Sequence, residues 1–467
     1  MEKKNISKQL SLILLVLVVL VSRLPFLSAG YGAEEDSWGM AFTAYHIATT
    51  GVYEYSRLPG HPVHELTCSL FYDAGPFVFN FVTALFSALA VLFFALSMKK
   101  IGFRHYLLAA YAFAFVPVVY ISSTYTIDYM WAMCFIMMSF YFIVSDKLWM
   151  AGVALGLAVG CRITSGAMLL PFCVYLWQAG KVKNSLKSIS VFTTVTLLVS
   201  LVCFIPLLKN YGADFFAFYE QFPYPSLAKV IYKASFGVFG VVGFVCIVAA
   251  LTALFRKRNV GILFERPVSR LQLASWVLVV VLYSIAYLRV PQKSAFIIPL
   301  VPFMLLLFGW MLSTRGFRSL CFGLIVSSFV FSINLTDKNR GADHSSIAFS
   351  KNISGQDVFF DPLSGPIFSE HSKRKNKMAF TDKVLSAAAA VSEKTVVIAG
   401  WWYNELMVKQ LKGRANPQVE FVFYIDEKAM NDSLARGYTV GYLPEQDIFN
   451  DEMFDIHSTA LLAKPFP

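Results

Sequence analysis

The feature that most constrains this chain is the recurrence of apolar runs of membrane-crossing length, of which LSLILLVLVVLV at 10–21 is the first. A spanning helix needs about 20 mostly apolar residues, because the hydrocarbon layer is roughly 30 Å thick and a helix rises about 1.5 Å per residue. Eleven stretches approach that requirement: 9–29, 76–97, 106–122, 129–145, 148–160, 164–179, 189–208, 236–255, 271–288, 296–312 and 318–334. Of the 467 residues 57% are hydrophobic and only 15% charged, and the mean hydropathy is +0.59. That excludes a soluble domain of any common class. The expected fold is therefore mainly α, a polytopic membrane protein with about 11 transmembrane helices.

MEKKNISK ahead of the first run has the basic character of a signal n-region. The run is long for a signal, however, and no small-x-small cleavage site precedes the acids that follow, so we read it as a retained helix. Loops on the N-terminal side (MEKKNISK, SMKKIGFRH, SDK, QAGKVKNSLKS, RKRNVGILFERPVSR, STRGFR) concentrate Lys and Arg and contain only Glu2, Asp146 and Glu265 as acids. Basic residues in short loops stay cytoplasmic, which places the N-terminus inside and everything from Leu335 onward outside an inner (plasma) membrane. The net charge of +11 is then mostly topological, and no nucleic-acid partner is implied. The seven cysteines outline no disulfide framework, with Cys68–Cys161 the one bridge conceivable.

Two domains are expected. Residues 1–334 form the transmembrane module, whose first outer loop, 30–75, carries SWGMAFTAYHIATTG, an interfacial helix with an apolar stripe and a stop at Gly51. Residues 335–467 form a small extracytoplasmic α/β domain, with strands at VVIAG (396–400), VEFVFYID (419–426) and YTVGYL (438–443) and a helix at WYNELMVKQLKG. It has neither GxGxxG nor a P-loop, and no cofactor is assigned.

Polar groups gather at the outer face. Glu34, Glu35 and Asp36 follow the first span, and Asp128 sits in the turn between the third and fourth. Asp36 either caps a helix beginning at Ser37 or belongs to a site. Arg57, Arg162, Arg289 and Lys293 lie at the same face, against the positive-inside bias, and such cations suit an anionic lipid phosphate; Arg162 could instead pair with Asp128, and Lys293 could snorkel to head groups. His61 and His64 in HPVHE suggest metal ligands, but Pro62 spoils a helical pair and no third ligand beyond Glu65 is evident, so no metal is assigned. Carboxylates and cations at one face suit sugar transfer from a lipid phosphate to a hydroxyl. The phosphate leaves readily when cations balance its charge, and one carboxylate takes the acceptor proton in a single inverting displacement.

RLPFLSAGYGAEEDSWGMAFTAYHIATTGVYEYSRLPGHP resembles the first-span end, acidic motif and interfacial helix of GT-C membrane glycosyltransferases, especially protein O-mannosyltransferases and lipid A aminoarabinose transferases. Asp128 matches that superfamily's second acidic loop, VGCRITSG its G-x-R-x-(S/T) turn, and RVPQKSAFIIPLVP its late proline-rich span. The resemblance implies a polyprenyl-phosphate sugar donor, with Asp36 as base and Glu35 as the alternative. Asp128 would support donor or acceptor, and Arg57, Arg162, Arg289 and Lys293 would meet the phosphate. Tyr55 and His61 are expected to line the substrate groove. The acceptor is a protein, lipid or glycan hydroxyl. A transporter or flippase for a lipid-linked glycan is the competing expectation; it calls for ionisable residues near mid-bilayer, where these spans are nearly free of charge.

Overall fold

The computed structural model describes residues 2–177, 182–212, 224–254, 263–334, 343–353, 356–414, 416–423, 427–443 and 464–466. Residues 178–179 and 255 of two expected spans, and 424–426 of an expected strand, lie outside these.

The membrane module is built from α1 (Glu2–Arg23), α2 (Glu35–Thr50), α3 (Pro62–Ser69), α4 (Gly75–Lys100), α5 (Tyr106–Phe115), α6 (Pro117–Ser122), α7 (Tyr129–Ile143), α8 (Leu148–Cys161), α9 (Leu169–Leu176), α10 (Val182–Tyr211), α11 (Leu227–Ala234), α12 (Phe236–Leu254), α13 (Arg270–Arg289), α14 (Val301–Met311) and α15 (Thr314–Val326). Every expected span contains a helix, but length separates them. Among the described residues five stretches, Gln9–Phe26, Gly75–Lys100, Val182–Tyr211, Arg270–Arg289 and Ser294–Met311, are long and apolar enough to cross a bilayer unaided, and α11 with α12, bent by 64°, makes a sixth. The chain is an integral membrane protein.

Local chemistry explains the breaks. Pro117 has no N–H to continue α5, so the span expected at 106–122 divides into α5 and α6. The span expected at 164–179 opens as a 3-10 helix, Ile163–Met168, before α9. The last, expected at 318–334, is α-helical only to Val326 and ends in strand β1 (Ser332–Asn334). Where helices are long, their ends are marked. Pro76 opens α4 and Lys99–Lys100 close it beside its C-terminal carbonyls, while Ser269 and Gln272 form a reciprocal capping box on α13.

α8 packs between α7 and α10. Its Gly152, Gly156 and Gly160 face α10 so closely that a Cβ on Gly156 would lie 2.5 Å from Val199, and one on Gly160 would lie 2.8 Å from Cys203. Small residues spaced by four let two backbones approach where no water drives association. α10 and α13 turn Leu197, Leu201, Ile205, Val281 and Ile285 outward, as a lipid-facing surface requires.

Beyond the module come β2 (Phe349–Ile353), β3 (Gln356–Asp361), α16 (Pro366–Ala389), β4 (Thr395–Ile398), α17 (Tyr403–Lys409), β5 (Val419–Val422), α18 (Glu427–Ala435), β6 (Thr439–Tyr442) and β7 (Lys464–Pro465). β5-β4-β6-β7 make a parallel sheet and β1-β3-β2 an antiparallel one. β1, the last stretch before the expected boundary at 334, thus pairs with a strand of the tail. The tail also packs on the module, α16 against α6 and α17 against α2. A Cβ on Gly39 of α2 would lie 2.9 Å from the Asn404 amide of α17. All seven cysteines are free, Cys68 and Cys161 included.

Candidate active site

α2 fixes the acidic motif. Glu34 is its N-cap, in extended backbone, and Glu35 and Asp36 occupy its first turn, where the helix dipole favours negative charge. The helix begins at Glu35 rather than Ser37, and no side chain caps it, so Asp36 is not spent on capping. Gly51 ends it with φ 70°, as the sequence suggests.

Asp36 instead faces cations. Lys293, between α13 and α14, pairs with Asp36 and, at 2.6 Å, with Glu34; the Arg57 Nε lies 3.5 Å from the Asp36 carboxylate. Arg57 bridges to the second acidic loop, where its Nη2 pairs with Asp128. Arg162, at the end of α8, donates to the other Asp128 oxygen at 2.9 Å, and its guanidinium lies over the rings of Tyr129 and Phe296, 4.5 and 4.8 Å from their centroids. The His61 Nδ1 donates to the Cys161 carbonyl at 2.8 Å and lies 3.5 Å from Asp128. Opposite charges therefore alternate: Glu34, Lys293, Asp36, Arg57, Asp128, Arg162. Asp128 is fully buried; Arg57, Arg162, Lys293 and Asp36 keep 16–28% of their side-chain surface.

The charges set the protonation states. Burial alone would raise the Asp36 carboxyl, but Lys293 and Arg57 outweigh it and hold the group well below the usual carboxylate range. Asp128 likewise ends well below that range, its burial outweighed by His61, Arg57 and Arg162. The Arg57 Nη1 is buried and has no hydrogen-bond partner among the described residues. Five of the expected residues, Asp36, Asp128, Arg57, Arg162 and Lys293, thus come together, with His61 beside them.

The rest stand apart. Glu35 turns toward the tail, where the Asn404 backbone bonds it and Lys377 lies nearby; burial, only partly offset by Lys377, lifts it to about 8. Tyr55 packs edge-on against Tyr211, 4.7 Å between centroids. Arg289 is exposed at the end of α13, with no ion pair among the described residues. Glu65 accepts from Tyr53, the Ser56 amide and hydroxyl and the His61 amide, which shapes the 53–61 loop. The His64 ring packs on Trp131. Among the described residues no group of His, Cys, Asp or Glu is placed to hold a metal ion.

Sequence reasoning missed what holds the two acidic loops. Asn80 of α4, fully buried, donates at 2.8 Å to the carbonyls of Leu27 and Gly30 and accepts from Thr126 at 2.8 Å; the Thr126 amide donates to Tyr31. A lone Asn in an apolar span was the available signal, since a buried amide must find partners.

The fold has counterparts among solved structures. No family model and no curated protein sequence matches the chain. Solved structures of ArnT from Cupriavidus metallidurans do match in fold. The form bound to undecaprenyl phosphate has a TM-score of 0.58 and 11% identity, over 97% of this chain and 94% of that one. The apo form has a TM-score of 0.52 at 11% identity, over 97% and 88%.

Proposed function

We propose that the protein is a glycosyltransferase that moves a sugar from a polyprenyl-phosphate carrier to an acceptor hydroxyl at the outer face of the membrane, with inversion. The observation that carries this is the pair of carboxylates bridged by Arg57, flanked by Lys293 and Arg162, with one Arg57 donor left over. The undecaprenyl phosphate bound by the ArnT neighbour supports a lipid phosphate as donor.

In this mechanism the donor phosphate takes Lys293 and Arg57 as counter-charges, and Asp36 loses the cations that keep it a weak base. Asp36 then removes the acceptor hydroxyl proton as that oxygen attacks the anomeric carbon. The bond from that carbon to the phosphate oxygen breaks, and its electron pair leaves on the phosphate. Asp128 stays ionised and fixes the two guanidiniums. Glu35 remains the alternative base, and Tyr55, His61 and Arg289 are assigned to donor binding. No cofactor is required. The N-terminus is cytoplasmic, residues 1–334 form the catalytic module, and the domain from 335 to 467 is extracytoplasmic.

The test is to incubate the purified protein with radiolabelled polyprenyl-phosphate sugars and envelope-derived acceptors. Loss of label from the lipid to an acceptor is expected for at least one donor. Movement of intact labelled lipid between leaflets, with no loss from any donor, would indicate a transporter instead.

A further inference from the structure

The loop before Asp36 and the loop before Asp128 are held from two sides. Asn80 grips them from within the module. From the other side comes a residue of the tail: Arg374, in the third turn of α16, is 1% exposed and puts its guanidinium among their backbone carbonyls. Its Nε donates to Ala29 at 3.0 Å, its Nη2 to Phe26 at 2.7 Å, and its Nη1 to the Thr124 carbonyl at 3.1 Å and hydroxyl at 3.2 Å. One rigid fork therefore spans both acidic loops. On the next turn Lys377 donates to the Ala33 carbonyl at 3.1 Å, immediately before Glu34.

The surroundings are built for close approach. Gly30, at φ +66°, leaves room for Met378 of α16, whose sulfur would lie 2.9 Å from a Cβ there. Gly365, just before α16, sits where a Cβ would meet the Phe329 backbone at 2.2 Å. The Phe26 ring packs on Phe368 and His371 of the same helix. Burying a guanidinium is costly unless its donors are met, and among the described residues no carboxylate bonds this one. Only a planar fork reaches carbonyls in several directions at once.

We propose that Arg374 is a positioning residue for transfer: through backbone carbonyls of both acidic loops it sets the distance between Asp36 and Asp128, making the tail part of the catalytic scaffold. The functional half of this rests on the glycosyltransferase reading; the structural half does not.

Both halves are tested on the full-length protein with R374A, R374K and, as a control, K375A, which removes the same charge from an exposed neighbouring position. Hydrogen exchange reports the loops without any donor. Amides of 26–34 and 122–128 should exchange at least tenfold faster in R374A and to an intermediate degree in R374K, and at the parent rate in K375A. In turnover of a labelled polyprenyl-phosphate sugar, kcat should fall at least tenfold in R374A with KM for the donor within twofold, R374K recovering part of the loss. If R374A does not fold, R374K carries both readouts. Unchanged loop exchange in a folded variant, kcat within twofold of the parent, or a rise in KM alone would overturn the proposal. Absence of turnover in the parent with any donor would instead count against the glycosyltransferase reading and leave the exchange result standing.

Discussion

Arg57 is the residue on which both carboxylates converge, and its geometry makes it irreplaceable by lysine. Nε faces Asp36 and Nη2 faces Asp128, whereas an ammonium is a point charge that satisfies one partner at a time. R57K should lower kcat/KM for the donor at least tenfold, measured with labelled lipid. Lys293 has a different signature. Because it is the foremost of the charges lowering Asp36, the free enzyme should keep its base ionised to well below pH 4, and kcat/KM should show no acid limb above that. K293M removes a positive neighbour, so the Asp36 carboxyl must rise and the acid limb must move to higher pH. A profile that does not move would show that another group titrates. Asp128 is buried between the Arg57 and Arg162 guanidiniums, and D128N should destabilise the fold by about 3 kcal/mol by leaving them uncompensated, seen as a lower melting temperature in detergent. These residues could be found in the sequence because charge against the positive-inside bias is conspicuous. Asn80 and Arg374 could not, since an amide among apolar residues and an arginine in a basic helix look ordinary until the carbonyls they meet are known.

At the scale of elements, two contacts invite measurement. The α8–α10 contact depends on a stripe of glycines whose packing role hydropathy does not reveal. G156L would push a side chain into Val199 and the Thr196 carbonyl. It should cost more than 2 kcal/mol by forcing the helices apart, against a near-neutral effect for G51N, since Asn tolerates the left-handed backbone of that helix end. The α2–α17 contact carries Glu35. Its folded value of about 8 stands above the ordinary 4.5, so between these values the folded chain holds a proton that the unfolded chain has released. Stability contributed by the protonated group is full below the lower value and lost as pH rises through the upper. E35Q should therefore melt like the parent near pH 5 and at a higher temperature near pH 8.5. The break at Pro117 explains why span boundaries were the least legible part: hydropathy shows that a segment is apolar, whereas proline chemistry decides where its helix stops.

At the scale of the whole molecule, the layout was legible because eleven apolar runs and a compositional change leave few architectures open. What the tail does was not, since its strands and helices carry no motif and its meaning lies in where α16 and α17 land. They land on the loop before Asp36 and on α2, so a molecule that reads as two domains holds its acidic loops from both. A double-mutant cycle between N80A and R374K should accordingly be non-additive in kcat, because both variants loosen the same loops.

The most direct measurement compares the parent with D36N for binding of polyprenyl phosphate and for transfer of label from a polyprenyl-phosphate sugar. D36N keeps the shape and removes the base. Binding should hold to within a few-fold while turnover falls by about 10²–10⁴, the usual contribution of a positioned base. Turnover equal to the parent's would contradict Asp36 as the base and move the chemistry to Glu35 or elsewhere.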